Sequence, residues 1–190
     1  MQVIHDTLLT RAISGVLAGA QDGELPLFAW TLGMPQTELL DMVQRCFPEL
    51  DELEPGDTSD YERILKTVPD DFHAMVDMLV QSPSTVGGSP ERVWLARAIA
   101  AASFGERHLW EDLGLFSRED VTSLLTQHFP DLVQRNTRGM KWKRFLFQEL
   151  SCALNRPDLM PPGCAQCEEF HSCAQSLAPS PERDARNDFL

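Results

Sequence analysis

What most constrains the fold of this chain is the spacing of its apolar residues. In residues 8–20, 37–47, 62–68, 72–80, 91–105, 118–129 and 141–154 they recur every three or four positions. That is the period of a helix with one buried face. Period-two runs of β-branched residues, the mark of a half-buried strand, are absent. The start signals agree. Thr37 stands just ahead of Glu38, and Ser89-Pro90-Glu91 places proline in a first helical turn. Ser117 has Asp120 three residues on, a capping-box-like arrangement. The expected fold class is all-α, a multi-helix bundle followed by a C-terminal cysteine-rich metal-binding loop.

Two stretches interrupt the helices. Residues 51–60 are acidic and contain Pro55 and Gly56, and residues 81–91 are rich in Ser, Gly and Pro. Both read as loops, the second dividing the chain. The expected organisation is an N-terminal helical half, 1–85, and a C-terminal helical half, 86–155. A cysteine-rich cluster-binding loop, 156–176, and a polar tail, 177–190, expected to be disordered, complete it. Residues 27–50 and 108–132 echo each other. Each runs Leu-Gly-hydrophobic, then a helical stretch, then Phe-Pro-acidic-Leu. Two related helical-hairpin units would explain this, and so would ordinary helix punctuation.

The formal net charge is −13, from 29 acidic and 16 basic residues. A general nucleic-acid binder needs a cationic surface, so that class is not expected. No apolar run approaches the roughly 20 residues of a membrane span. The first residues, "MQVIHDTLLTRAISG", have no basic segment ahead of their apolar part. No membrane partner and a cytoplasmic location are expected.

Five cysteines, an odd number unevenly placed, do not form a disulfide framework pattern. Cys164, Cys167 and Cys173 follow C-x2-C-x5-C, and Cys152 lies upstream near the end of a predicted helix. Thiolates are soft anionic ligands for zinc and for iron–sulfur clusters. A tight C-x2-C turn directs two sulfurs at one ion or cluster, and Cys173 is close enough to add a third. Structural zinc favours four regular ligands, often as two paired knuckles, and only one C-x2-C is present. An iron–sulfur cluster tolerates irregular spacing, since its irons are separate attachment points. Spacing alone ranks iron–sulfur first, zinc second, and redox-active or inert thiols third. Cys46, on an apolar helix face, reads as core filler.

Arg135, Arg138, Lys141, Lys143 and Arg144 concentrate positive charge just ahead of the cysteines. They read either as an anion or acidic-partner patch or as a solvated helix start. His108 is a candidate metal ligand or proton donor, with Glu111 or Asp112 to orient it. A helix-capping or core-edge role is the commoner outcome for such a histidine, and for His128. No Ser-His-Asp set, phosphate-binding glycine loop or H-E-x-x-H is present. An enzyme is therefore not expected.

The blocks "HLWEDLGL", "MKWKRFLFQEL" and "CAQCEEFHSC", with Phe129-Pro130 and Arg135-Asn136 between them, occur in order over residues 93–173. Together they resemble NifQ, the nitrogen-fixation protein family. The resemblance implies a molybdenum–iron–sulfur protein that carries molybdenum for the iron–molybdenum cofactor of nitrogenase. The cofactor implied is an iron–sulfur cluster containing molybdenum. The partners implied are the scaffold complex NifEN and the nitrogenase iron protein NifH. Cys164, Cys167 and Cys173 match the last three positions of the family motif C-x4-C-x2-C-x5-C. Leu159 occupies the first and cannot ligate. Cys152 is then the expected fourth ligand, His108 a secondary candidate for molybdenum, and Arg138, Lys141, Lys143 and Arg144 the partner or anion patch. The competing reading is a zinc-stapled helical interaction module without metal transfer.

Overall fold

A computed structural model describes residues 7–50, 53–83, 89–157 and 159–164. Every regular element among them is helical. In chain order these are α1 (Thr7–Gln21), a 3₁₀ helix (Leu27–Thr31), α2 (Gln36–Cys46), α3 (Thr58–Leu65) and α4 (Asp70–Gln81). Then follow α5 (Pro90–Ser103), α6 (Leu109–Asp112), α7 (Arg118–His128), α8 (Pro130–Arg135) and α9 (Trp142–Leu154). No described helix is long and apolar enough to cross a membrane.

Local chemistry sets the boundaries. Ser89 accepts from the Arg92 amide at 3.4 Å, with Pro90 opening α5. Ser117 accepts from the Asp120 amide at 3.2 Å. Residues 58–60, expected in a loop, belong to α3, because the Asp57 carboxylate accepts from the Ser59 and Asp60 amides. Thr37 is not a cap: α2 begins at Gln36 behind Pro35, whose fixed φ supplies the entry. The 3₁₀ helix, α6 and α8 escape a periodicity reading because each has too few residues to show a 3.6 repeat.

Helix α5 is the centre of the body. Trp94, Leu95, Ala98, Ile99 and Ala102 are buried, and so are Ala96, Ala100 and Ala101 on its other faces. A helix apolar all round must be enclosed, and its alanines let α1 and α4 approach closely. One hydrophobic core extends from Leu9 to Leu150 and draws on residues both before and after position 85. The expected boundary at 85/86 itself lies outside the described residues.

Three buried or half-buried cations hold the body together by capping backbone. The Arg92 guanidinium donates to the carbonyls of Leu79, Val80 and Ser82 at the end of α4 and of His128 at the end of α7. It also stacks on Phe129, 4.9 Å from the ring centre. Carbonyls at helix C-termini carry partial negative charge, and here they balance a buried guanidinium. Arg97 Nη1 donates to Leu32 and Gly33 carbonyls at 3.1 and 2.8 Å, fixing the turn after the 3₁₀ helix. Lys143, the third, is described with the site.

The two echoing segments share local conformation. A short helix ends in Leu32-Gly33 or Leu113-Gly114, with the glycine at φ +64° or +62°. An 11-residue helix follows and ends at Phe47 or Phe129, with φ near −134° and −137°. The second turn also seats α1. A Cβ on Gly15 would overlap the Leu113 carbonyl, and one on Gly114 would lie 2.8 Å from the Gly15 Cα.

Candidate metal-binding cleft

A cleft of about 1000 Å³ opens where four segments meet. They are residues 106–111 leading into α6, the first turns of α7, residues 139–144 leading into α9, and residues 161–164. Each is fixed by a specific contact. The Asn136 side chain closes the loop ahead of α9, donating to the Met140 carbonyl at 2.9 Å and accepting from its amide at 2.8 Å. Trp142 Nε1 donates to Thr122 Oγ1 at 2.9 Å, tying α9 to α7. Lys143 Nζ reaches Asp112 Oδ2 at 2.7 Å and the carbonyls of Gly105 (3.0 Å) and Arg107, tying α9 to α6 and the segment before it. Gly163 has φ +71°, and a Cβ there would lie 2.6 Å from the Glu106 carbonyl. Only glycine lets residues 161–164 rest against that loop.

The cleft is lined by five of the chain's sixteen Lys and Arg, namely Arg107, Arg118, Lys141, Lys143 and Arg144, against the carboxylates Glu106 and Glu111. Arg107 is engaged by Glu24 at 2.7 Å and by Asp112 at 3.0 Å, and Lys143 by Asp112. Arg118, Lys141 and Arg144 also line it, Arg118 and Lys141 each with a partner of its own. All three stand at helix starts: Lys141 is the N-cap of α9, Arg144 is in its first turn, and Arg118 opens α7. The first turn of α9 contains no acidic residue. A helix N-terminus carries a partial positive charge and disfavours a cation by about 0.3–1 kcal/mol. The N-terminus of α9 therefore adds to the field of the side chains, whereas Glu119 and Asp120 offset that of α7. Arg144 Nη1 is buried with no hydrogen-bond partner among the described residues, which is costly for a charged donor unless something else accepts from it.

His108 and Cys164 share this cleft. Burial, then the cations Arg118, Lys141 and Lys143, hold His108 below the ordinary imidazole range, against the opposing pull of Glu111. At neutral pH the ring is uncharged, the form that ligates metals. Its backbone amide donates to Glu111 Oε2 at 3.0 Å, so Glu111 caps the helix start. Asp112, the other candidate for orienting His108, is engaged by Lys143 and Arg107.

The expected site residues thus separate. Cys164, His108, Lys141 and Arg144 line one cleft, and Lys143 forms part of its wall. Lys143 is buried and paired rather than solvent-facing, because α9 needs its ammonium to hold Asp112. Arg138 is exposed on the preceding loop and does not line the cleft. Cys152 is exposed and is absent from the cleft lining. It lies roughly 13 Å further along the axis of α9 than Lys143, at about 1.5 Å per residue. Leu159, where the family motif has cysteine, packs against the hydrophobic core. Cys46 is buried, and its thiol is pushed up to about 12 by burial, then by Glu91. His128 is buried beside the Arg92 cap. Cys167, His171 and Cys173 lie outside the described residues, among which no three His, Cys, Asp or Glu side chains group as a metal-ion site. Sequence reasoning missed Arg118. The available signal was a cation directly behind an N-cap serine, where Asp or Glu is the stabilising choice.

Comparison with known proteins gives a consistent answer. A model of the NifQ family matches residues 12–175. Protein NifQ of Azotobacter vinelandii is 31% identical over 183 residues, spanning 90% of both chains. A NifQ homolog of Sinorhizobium fredii is 30% identical over 172 residues, spanning 90% of this chain and 70% of that one. Protein NifQ of Rhodobacter capsulatus is 36% identical over 85 residues, 45% of this chain and 47% of its own. No solved structure matches significantly. The chain belongs to the NifQ family, whose role lies in nitrogen fixation, in processing molybdenum for the iron–molybdenum cofactor.

Proposed function

We propose that the chain is a cytoplasmic carrier and not an enzyme. Its cargo is an iron–sulfur cluster that accepts molybdenum, held by Cys164, Cys167 and Cys173. Three thiolates on a cuboidal cluster leave one corner without a protein sulfur, a place where a metal can be exchanged. The recipients are the cofactor-assembly proteins NifEN and NifH. The observation that carries this reading is the company Cys164 keeps, a half-buried thiol in a cation-lined cleft of an acidic protein. These residues fit the cargo chemically. A thiolate-ligated cluster is anionic, and the unpartnered Arg144 Nη1 and the neutral His108 ring are suitable neighbours for it. Of the two candidates for a fourth ligand, His108 shares the cleft with Cys164 and Cys152 does not, so we assign His108 to that position. The matching order of short helix, Leu-Gly turn, 11-residue helix and Phe cap supports two related helical units as the origin of the body.

The test is metal and sulfide analysis of protein purified without oxygen from molybdate-fed cells. The wild type is expected to contain iron, sulfide and molybdenum together. Cys167→Ala is expected to lose them with little change in helix content, because the hydrophobic core of the described residues is formed by the helices that precede the cysteine segment. A variant that keeps full iron and molybdenum refutes the thiol assignment. Colourless wild-type protein with one tightly held zinc refutes the carrier reading in favour of a structural staple.

A further inference from the structure

We propose that the outer side of the 3₁₀ helix, carrying Leu27 and Trp30, is a docking surface for a protein partner. The partner's own face combines an apolar pocket with a surplus of lysine and arginine. That this partner is a recipient of the cargo rests on the carrier reading above. The surface itself rests on exposure, charge and position.

Three observations converge. First, Phe28, Ala29 and Thr31 are buried, whereas Leu27 is 57% exposed and Trp30 38%. A 3₁₀ helix turns once in about three residues, so Leu27 and Trp30 lie one above the other on its outer side. Single exposed apolar side chains are ordinary. A stacked leucine and tryptophan make a continuous apolar spot, and tryptophan is enriched among residues that anchor interfaces. Secondly, the acidic excess belongs to the half of the chain that builds this surface. Residues 1–77 hold 15 Asp and Glu against four Lys and Arg, while residues 78–190 hold 14 against 12. Helix α3 packs against the 3₁₀ helix, tied by Tyr61 Oη, which donates to the Met34 carbonyl at 2.8 Å. It has no buried residue and carries the exposed Asp60 and Glu62. Arg45 and Arg63, the two cations between residues 22 and 63, are paired with Asp41 and Asp60. An apolar centre beside net negative charge selects a cationic partner and repels nucleic acid. Thirdly, the spot adjoins the cleft. Glu24, three residues ahead of Leu27, pairs at 2.7 Å with Arg107 of the cleft lining. Leu25 packs so closely on Gly105 that a Cβ there would lie 2.6 Å from the leucine Cδ2. A partner seated on Leu27 and Trp30 therefore stands beside the cleft that contains Cys164.

The probes are purified NifEN and NifH, each offered to the full-length protein prepared without oxygen, with binding followed by surface plasmon resonance. At least one is expected to bind, with association slowing at least tenfold between about 50 and 300 mM NaCl. Leu27→Ser/Trp30→Ser is expected to weaken binding at least tenfold while keeping the iron, molybdenum and helix content of the wild type. Should that variant lose helix content, Glu62→Lys, exposed on α3, tests the same surface and is expected to slow association. Absence of binding to both probes overturns the proposal, as does undiminished binding by Leu27→Ser/Trp30→Ser. Association that is indifferent to salt and to Glu62→Lys overturns the cationic class of partner. A wild-type dimer in sedimentation analysis that the double variant dissolves assigns the spot to a second copy of this chain and also overturns it. The carrier reading fails separately, on the metal content of the wild type and of Cys167→Ala, so failure of one is distinguishable from failure of the other.

Discussion

Lys143 is the residue on which sequence and tertiary structure place different weights, and Lys143→Met separates them. Its ammonium lies 2.7 Å from Asp112 Oδ2, in a pair whose side chains are 10% and 0% exposed. It also donates to the carbonyls of Gly105 and Arg107. Methionine fills much the same volume but removes all three bonds. A buried carboxylate would be left to Arg107, 39% exposed and 3.0 Å away. Breaking a buried pair by deleting one partner costs about 3–5 kcal/mol. Arg107 still screens Asp112, so about 3 kcal/mol is the expected loss. Urea unfolding of the metal-free protein, followed by circular dichroism, reads this as a lower midpoint at unchanged slope. In Asp112→Asn/Lys143→Met no buried charge is stranded, and the double variant should regain at least half of the loss. The reasoning is refuted if Lys143→Met costs less than about 1 kcal/mol. It is equally refuted if that variant keeps its stability while losing iron and molybdenum, since the ammonium would then face cargo rather than Asp112.

Two further outcomes follow from buried groups. Arg92→Met removes donors to four carbonyls at the ends of α4 and α7 and the stacking on Phe129. With water recovering some of the carbonyls, a loss of about 3–5 kcal/mol in the same titration is expected, and a loss below about 1 kcal/mol would contradict the capping role. Cys46 is buried with its thiol at about 12, while Cys152 is exposed. Native alkylation at about pH 8, near the ordinary thiol value, should therefore label Cys152 and spare Cys46 until denaturant is added. Peptide mapping that finds Cys46 labelled in native protein would show that α2 opens.

The helical class was legible because long amphipathic stretches repeat their pattern several times over. Ser89 and Ser117 were legible as caps because their partners lie three residues away in the chain. The 3₁₀ helix, α6 and α8 were not, since four to six residues give a 3.6 period too little length to appear. The candidate site was legible in pieces. Cys164, His108, Lys141 and Arg144 each stood out by residue type, but nothing local says that residues 106–111 and 161–164 adjoin.

By itself, then, the sequence determined the all-α class, the family, and the residue types available for metal chemistry. All three depend on composition, local spacing and ordered motifs. Only the tertiary structure decided what each residue does. Helix α5 packs against both α4 and α6, the Lys143–Asp112 pair anchors α9 against α6, and Gly163 lets residues 161–164 lie on the loop at Glu106. Those long-range contacts turn Lys143 from a surface charge into a structural one. They add Arg118 to the cleft and leave Cys152 outside it. The physical reason is that burial and pairing across the chain depend on which surfaces meet, and a one-dimensional pattern does not specify that.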